Sequence, residues 1–259
     1  TRFTINGRDV DFRLLSSEEP EGTADLALFA TKATGLAQAM DDAASYIGPE
    51  TVLVSVLNGV TSEQILAERF DRRNIVPCVA QGMDATKAGG ELFCKVTGTL
   101  CIGAQYEEQR EALGALRELL DRCGIAYRVE EDILHRLWSK FMLNVGVNQV
   151  VMVYEGTYET VQKPGEARDR MVSAMEEARQ MAIAEGIHVT REDLDDYVAL
   201  IDTLSPQGMP SMRQDGLARR PSEVDLFAGT VCRLSDRYGI PAPVNRWLLK
   251  KVREMEASY

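Results

Sequence analysis

Histidine is scarce in this chain: His135 and His188 are the only two among 259 residues, which argues against a metal site built on imidazoles. The five cysteines (Cys78, Cys94, Cys101, Cys123, Cys232) are odd in number and never stand as Cys-x-x-Cys. Scattered thiols of this kind fit a reducing cytoplasm better than a disulfide frame or a zinc site. Positive charge is in deficit too, with 29 Lys plus Arg against 40 Asp plus Glu and a net charge of −11. Gripping a phosphate backbone or an anionic membrane takes a basic face, so neither nucleic acid nor membrane is expected as a partner. No run approaches the roughly 18–20 apolar residues that span a bilayer. The opening Thr-Arg-Phe-Thr-Ile-Asn-Gly lacks the form of a signal peptide. Also missing is any Gly-x-Gly-x-x-Gly, the phosphate-cradling turn between the first strand and helix of a dinucleotide-binding sheet.

What is present is ordinary globular composition, 45% hydrophobic and 27% charged, in a chain long enough for one large or two modest domains. The first half alternates strand and helix signals. Phe3 and Ile5 alternate with polar neighbours, Asn6-Gly7 supplies a type I′ turn, and Val10, Phe12 and Leu14 alternate on the way back, which predicts a hairpin. Residues 24–30 and 51–57 read as buried strands, each followed by a helical stretch (35–47 and 61–70), the rhythm of a parallel sheet with crossovers. Strand-rich segments at 76–79 and 92–102, a turn at Ala88-Gly89-Gly90, a helix at 107–122 closed by Gly124, and a last strand at 125–129 complete that half. From Glu130 onward only helices are expected, at 130–154, 164–185 and 191–204, the last capped by Thr190. A final substantial helix is expected from about Pro221, its stripe Val224, Phe227, Val231, Leu234 and Tyr238, closed by Gly239 and Pro241. The fold class is thus α/β plus all-α: an incomplete Rossmann-type parallel sheet over 1–129, then a helical domain over 130–259.

Three segments could carry chemistry. Within Trp138-Ser139-Lys140-Phe141-Met142-Leu143-Asn144-Val145-Gly146-Val147-Asn148, the residues Lys140, Asn144 and Asn148 fall at i, i+4 and i+8 and form one polar row on a helix. An ammonium and two amides among apolar neighbours need partners, which a small polar substrate would supply. Partial burial also brings a lysine towards proton transfer near neutrality. Taken alone, the row reads first as a lysine that snorkels to solvent beside asparagines that bond loop carbonyls. Lys32 and Asn58 each follow an expected parallel strand at its carboxyl end, where open α/β sheets bind ligands and where polar loop residues are common anyway. In the third segment Ser211 reads as a helix cap or a ligand contact. Glu223 reads as a first-turn carboxylate or a site residue, and Arg219-Arg220 as an anion site or a solvated patch.

Taken in order, these pieces resemble the ketopantoate reductase family. The likeness rests on the strand ending in Thr31-Lys32-Ala33 and the strand ending in Leu57-Asn58-Gly59. It rests equally on the Trp138-x-Lys140-x-x-x-Asn144-x-x-x-Asn148 helix, and on Ser211-Met212-x-Gln214-Asp215 with Glu223 twelve residues after the serine. The resemblance implies NADPH-dependent reduction of 2-dehydropantoate to (R)-pantoate, in a site between a Rossmann domain and a helical domain like that of 6-phosphogluconate dehydrogenase. It implies Lys140 as the general acid, with Asn144 and Asn148 as substrate-binding amides and Ser211 at the substrate's polar end. Glu223 would contact cofactor and order the site, and Lys32 and Asn58 would line the nicotinamide side, Asn58 also reaching substrate. No metal is implied.

Two features depart from the family. Tyr158 stands where many relatives carry asparagine, which bears on the substrate: another small 2-keto acid is the alternative. The glycine-rich βαβ unit that relatives place ahead of the hairpin, on the order of 30 residues or more, is not in this chain. With that unit upstream of Thr1 the protein is expected to be an ordinary reductase. Without it, cofactor affinity collapses for want of the helix-start amides that cradle phosphate, and a non-catalytic helical binding or oligomerisation protein becomes the reading. The apolar C-terminal helices suit a homodimer.

Overall fold

The computed structural model describes residues 3–259, except for the side chain of Ala88. Asn6 (φ 50°) and Gly7 (φ 75°) take the two left-handed positions of a type I′ turn. They join β1 (Phe3–Ile5) to β2 (Arg8–Val10) in the register Phe3↔Val10 and Ile5↔Arg8. The expected return strand to Leu14 stops at Val10. Beyond it Phe12 and Leu14 are exposed and have no ladder to hold them.

The parallel core follows as β3 (Leu26–Phe29), α1 (Leu36–Ala43), β4 (Val52–Ser55), α2 (Ser62–Ala67) and β5 (Ile75–Val76), with strand order β3-β4-β5. Central β4 is buried throughout, whereas edge strand β3 leaves Leu28 exposed. The period of two along β4 divides its side chains between opposite faces. Val52 and Val54 pack with Ala112, Leu116 and Leu120 of α3 (Arg110–Cys123), while Leu53 packs with Phe29, Leu36, Met40 and Leu66. Covering both faces in this way is what makes a parallel sheet stable.

Pro77, which has no N–H, separates β5 from β6 (Cys78–Gln81). Strand β7 (Asp84–Ala88) turns through Gly89-Gly90 into β8 (Glu91–Val96), and β8 runs parallel to β1. Strand β9 (Thr99–Ile102) is antiparallel to β6 and parallel to β10 (Tyr127–Val129).

One carboxylate of this unit lies against the sheet. Ser55 Oγ donates to Ser62 Oγ (2.9 Å), and Ser62 Oγ donates to Glu63 Oε2 (3.0 Å). Burial raises the Glu63 pKa above the ordinary range, opposed by the amides of Glu63 and Cys78 and by the Ser62 hydroxyl. The folded state therefore holds this proton more tightly than the unfolded chain does. Stability falls as pH rises from the ordinary glutamate pKa to the raised one, and is flat above. In Glu63→Gln that slope should vanish, so the variant gains stability over the parent at pH 7 and not at pH 4, read by urea unfolding at both values.

The helical part comprises α4 (Ile133–Val153), α5 (Tyr158–Gln162), α6 (Glu166–Ala184), α7 (Arg191–Thr203), α8 (Ser211–Leu217), α9 (Ala228–Tyr238) and α10 (Pro243–Glu256). Gly146 lets α4 and α6 meet closely: a Cβ there would lie 2.4 Å from Met175 Cγ and 3.0 Å from the Met171 carbonyl oxygen. Thr190 caps α7, its Oγ1 accepting from the Asp193 amide at 3.0 Å while Asp193 Oδ2 accepts from the Thr190 amide at 2.7 Å.

Three expectations are corrected here. The helix expected from Pro164 starts at Glu166, after Gly165 (φ 144°) has broken the approach. The helix expected from Pro221 starts at Ala228, because residues 224–227 form turns in which the Glu223 carbonyl accepts from the Leu226 and Phe227 amides, each at 3.0 Å. Beyond Pro241 lies a further fourteen-residue helix, α10, that the sequence reading did not include.

Contacts gather the chain into two compact units, one holding the residues up to Leu57 with Thr61–Arg136, the other Asn58–Val60 with Leu137–Tyr259. Among the described residues no helix is long and apolar enough to cross a membrane.

Candidate active site

Helix α4 is hydrophobic almost all round, as a helix buried at the centre of a bundle must be. Phe141, Val145, Val150 and Val151 are fully or almost fully buried, and the Phe141 ring meets Trp138 edge-on at 5.6 Å and Phe227 at 6.3 Å. This packing seats α4 in the bundle, and one polar row runs along it. Lys140 and Asn144 are half-buried, and Asn148 is 5% exposed. A carboxamide so deep in an apolar bundle is costly unless it is hydrogen-bonded.

A second constellation joins residues 165 positions apart. Asn58 Nδ2 donates to Glu223 Oε2 at 3.1 Å, and Glu223 itself is only 8% exposed. Gly59 makes the approach feasible: at φ 94° its backbone comes so near Leu226 that a Cβ would lie 2.7 Å from Leu226 Cδ1. The turn carrying Glu223 is held from its other side, where the Ser222 amide donates to Glu256 Oε1 of α10 at 2.7 Å. Glu223 is thus not the first-turn carboxylate of a helix but a buried group presented by a pinned turn.

Ser211, Lys32 and Tyr158 lie on other elements. Ser211 is exposed and is the first residue of α8 rather than its cap; Pro210 holds the cap position, with no side-chain bond. Lys32 is exposed and extended (φ −75°, ψ 157°), and its carbonyl accepts from the Gly35 amide at 2.9 Å just before α1. Tyr158 opens α5, half-buried, with its phenol pKa raised by burial. Its ring lies against Gly208, where a Cβ would come within 2.9 Å of Cδ2. Among the described residues no group of three or more His, Cys, Asp or Glu could hold a metal ion.

Known proteins match most of the chain. The family described as Ketopantoate reductase PanE/ApbA matches residues 2–105, and its C-terminal part matches residues 132–256. The chain belongs to the ketopantoate reductase family. That makes it an oxidoreductase by family.

A 2-dehydropantoate 2-reductase of Streptococcus pyogenes is 24% identical over 249 residues, covering 96% of this chain and 81% of that protein. The structure of a dimeric ketopantoate reductase from Staphylococcus aureus superposes with a TM-score of 0.85 at 19% identity, covering 99% of this chain and 86% of that one. A D-mandelate dehydrogenase solved with NADH and anilino(oxo)acetate superposes with a TM-score of 0.87 at 22% identity, covering 99% and 85%. At these identities the superpositions establish the fold, a Rossmann-like parallel sheet followed by a helical domain, of the kind the ketopantoate reductase family shares.

Proposed function

We propose that the protein reduces a small 2-keto acid, 2-dehydropantoate, to the corresponding 2-hydroxy acid with NADPH. The observation that carries this reading is the row of Lys140, Asn144 and Asn148 on one buried helix of a ketopantoate reductase fold. The curated relative from Streptococcus pyogenes, named for that reaction, supports it.

The residues present suit the nicotinamide side of the cofactor. Strands β3 and β4 are parallel and in register, Phe29 opposite Ser55, and polar residues follow both carboxyl ends: Lys32 after the first, Asn58 after the second. Neither the 3-10 turn after Lys32 nor the first turn of α1 carries a carboxylate, so the donors there suit a phosphate or a carboxamide. When bound, the reduced nicotinamide supplies hydride to the ketone carbon. As that C–H bond forms, the carbonyl electron pair moves onto oxygen. The ammonium of Lys140 stabilises the growing alkoxide and passes it a proton, leaving a neutral amine that regains a proton from solvent. Asn144 and Asn148 hold the keto acid's polar groups, Ser211 binds its far end, and Glu223, held by Asn58, orders the site.

The test is steady-state oxidation of NADPH by the protein with its natural N-terminus. Turnover should be found with 2-dehydropantoate, and faster with NADPH than with NADH at equal concentration. Sedimentation should give twice the chain mass, in keeping with the dimeric relative. A second reading, reduction of an aryl-substituted 2-keto acid, is favoured by the likeness to D-mandelate dehydrogenase and by the half-buried Tyr158 ring. A higher kcat/KM for phenylglyoxylate than for 2-dehydropantoate would decide for it.

A further inference from the structure

Directly after Asn148 on α4 comes Gln149, fully buried and used at both ends of its amide. Its Nε2 donates to the Val145 carbonyl (2.7 Å) and to Asn245 Oδ1 (3.3 Å), and its Oε1 accepts from the Ala228 amide at 3.0 Å. Ala228 is the first residue of α9, and its N–H is one of the donors that a helix start leaves without an intrahelical partner. The turn just before it carries Glu223. On the other side, Asn245 Nδ2 donates to Glu177 Oε2 at 2.7 Å, and Glu177 also accepts from the Val244 and Asn245 amides at 2.8 and 2.9 Å. One buried chain of hydrogen bonds therefore ties α4 to the start of α9, to the start of α10, and to α6. Being one residue on, Gln149 projects roughly 100° round α4 from Asn148, so bonding it sets the angle at which the row faces.

We infer that Gln149 is a positioning residue for the reaction. By gripping Ala228 it fixes the rotation of α4 against the turn that presents Glu223, and so aligns Lys140, Asn144 and Asn148 with that carboxylate. The inference rests on the substrate site proposed above and adds to it a residue that touches neither substrate nor cofactor.

The test uses the full protein in keto-acid reduction. Gln149→Met keeps the shape and removes both ends of the amide. Its kcat should fall by about 10²-fold, as small misplacements of reacting groups cost, with KM for the nucleotide within twofold and far-ultraviolet circular dichroism unchanged. In a Glu223→Gln background the same substitution should cost less than about threefold, because the two act through one another. A folded Gln149→Met with parental kcat, or losses that simply multiply in the double variant, would overturn the inference while leaving the substrate site standing. Absence of keto-acid turnover in the parent protein would overturn both. If Gln149→Met does not fold, Gln149→Asn decides: one methylene short of Ala228, it should lose kcat and not nucleotide KM, and parental kcat there refutes the idea.

Discussion

Lys140→Ala is expected to lose about 10²- to 10⁴-fold in kcat for 2-keto acid reduction, the range over which a positioned general acid contributes. At 1.36 kcal/mol per tenfold that is roughly 3–5 kcal/mol of transition-state stabilisation. The physical case is that negative charge grows on the ketone oxygen only as hydride arrives. An ammonium aimed there is worth more in the transition state than in the ground state, so the loss appears in kcat and only weakly in KM. Lys140→Arg should recover little, since a guanidinium keeps the charge but not a proton it can readily give. Steady-state kinetics of the three proteins, with circular dichroism confirming that each is folded, check the expectation.

The largest effect on stability is expected at Glu177. This side chain is 8% exposed and accepts three hydrogen bonds from the first turn of α10, which thereby gains an N-terminal carboxylate cap. Glu177→Leu leaves the Val244 amide, the Asn245 amide and Asn245 Nδ2 buried without their acceptor. At about 1–3 kcal/mol for each abandoned donor, the variant should lose on the order of 3 kcal/mol or more. For a chain of this size that lowers the midpoint by roughly 6–12 °C. Urea and thermal unfolding of Glu177→Leu beside Glu177→Gln measure it. The glutamine, which keeps one acceptor oxygen, should fall between leucine and the parent.

How legible the protein is in its sequence depends on the range of the interaction. Asn6-Gly7, the Thr190–Asp193 cap, and Gly124 and Gly239 after their helices act within a few residues, and each is found in the expected conformation. The polar row on α4 is legible for the same reason, since helical period alone brings its members together. The start of α9 is not. Val224 and Phe227 are buried as a stripe would require, yet they are buried from a turn that Glu223, Ser222 and the distant Asn58 and Glu256 hold in place. Helix α10 did leave a signal, with Pro243 at its first turn and Val244, Leu248 and Val252 four apart. Gly239 and Pro241 read instead as the end of the preceding helix. Gln149 and Glu177 were missed because a buried polar residue declares its role through partners 67 to 96 residues away.

Chemical rescue puts the central claim, that the Lys140 ammonium protonates the ketone oxygen, to its most direct test. Reduction of 2-dehydropantoate by Lys140→Ala is followed with increasing concentrations of small primary ammonium ions that differ in pKa. The account predicts that the rate rises in proportion to the ammonium concentration, that it depends on the acidity of the ion, and that rescue is absent from the parent protein. A Lys140→Ala enzyme that keeps the parental kcat with no amine added would contradict it.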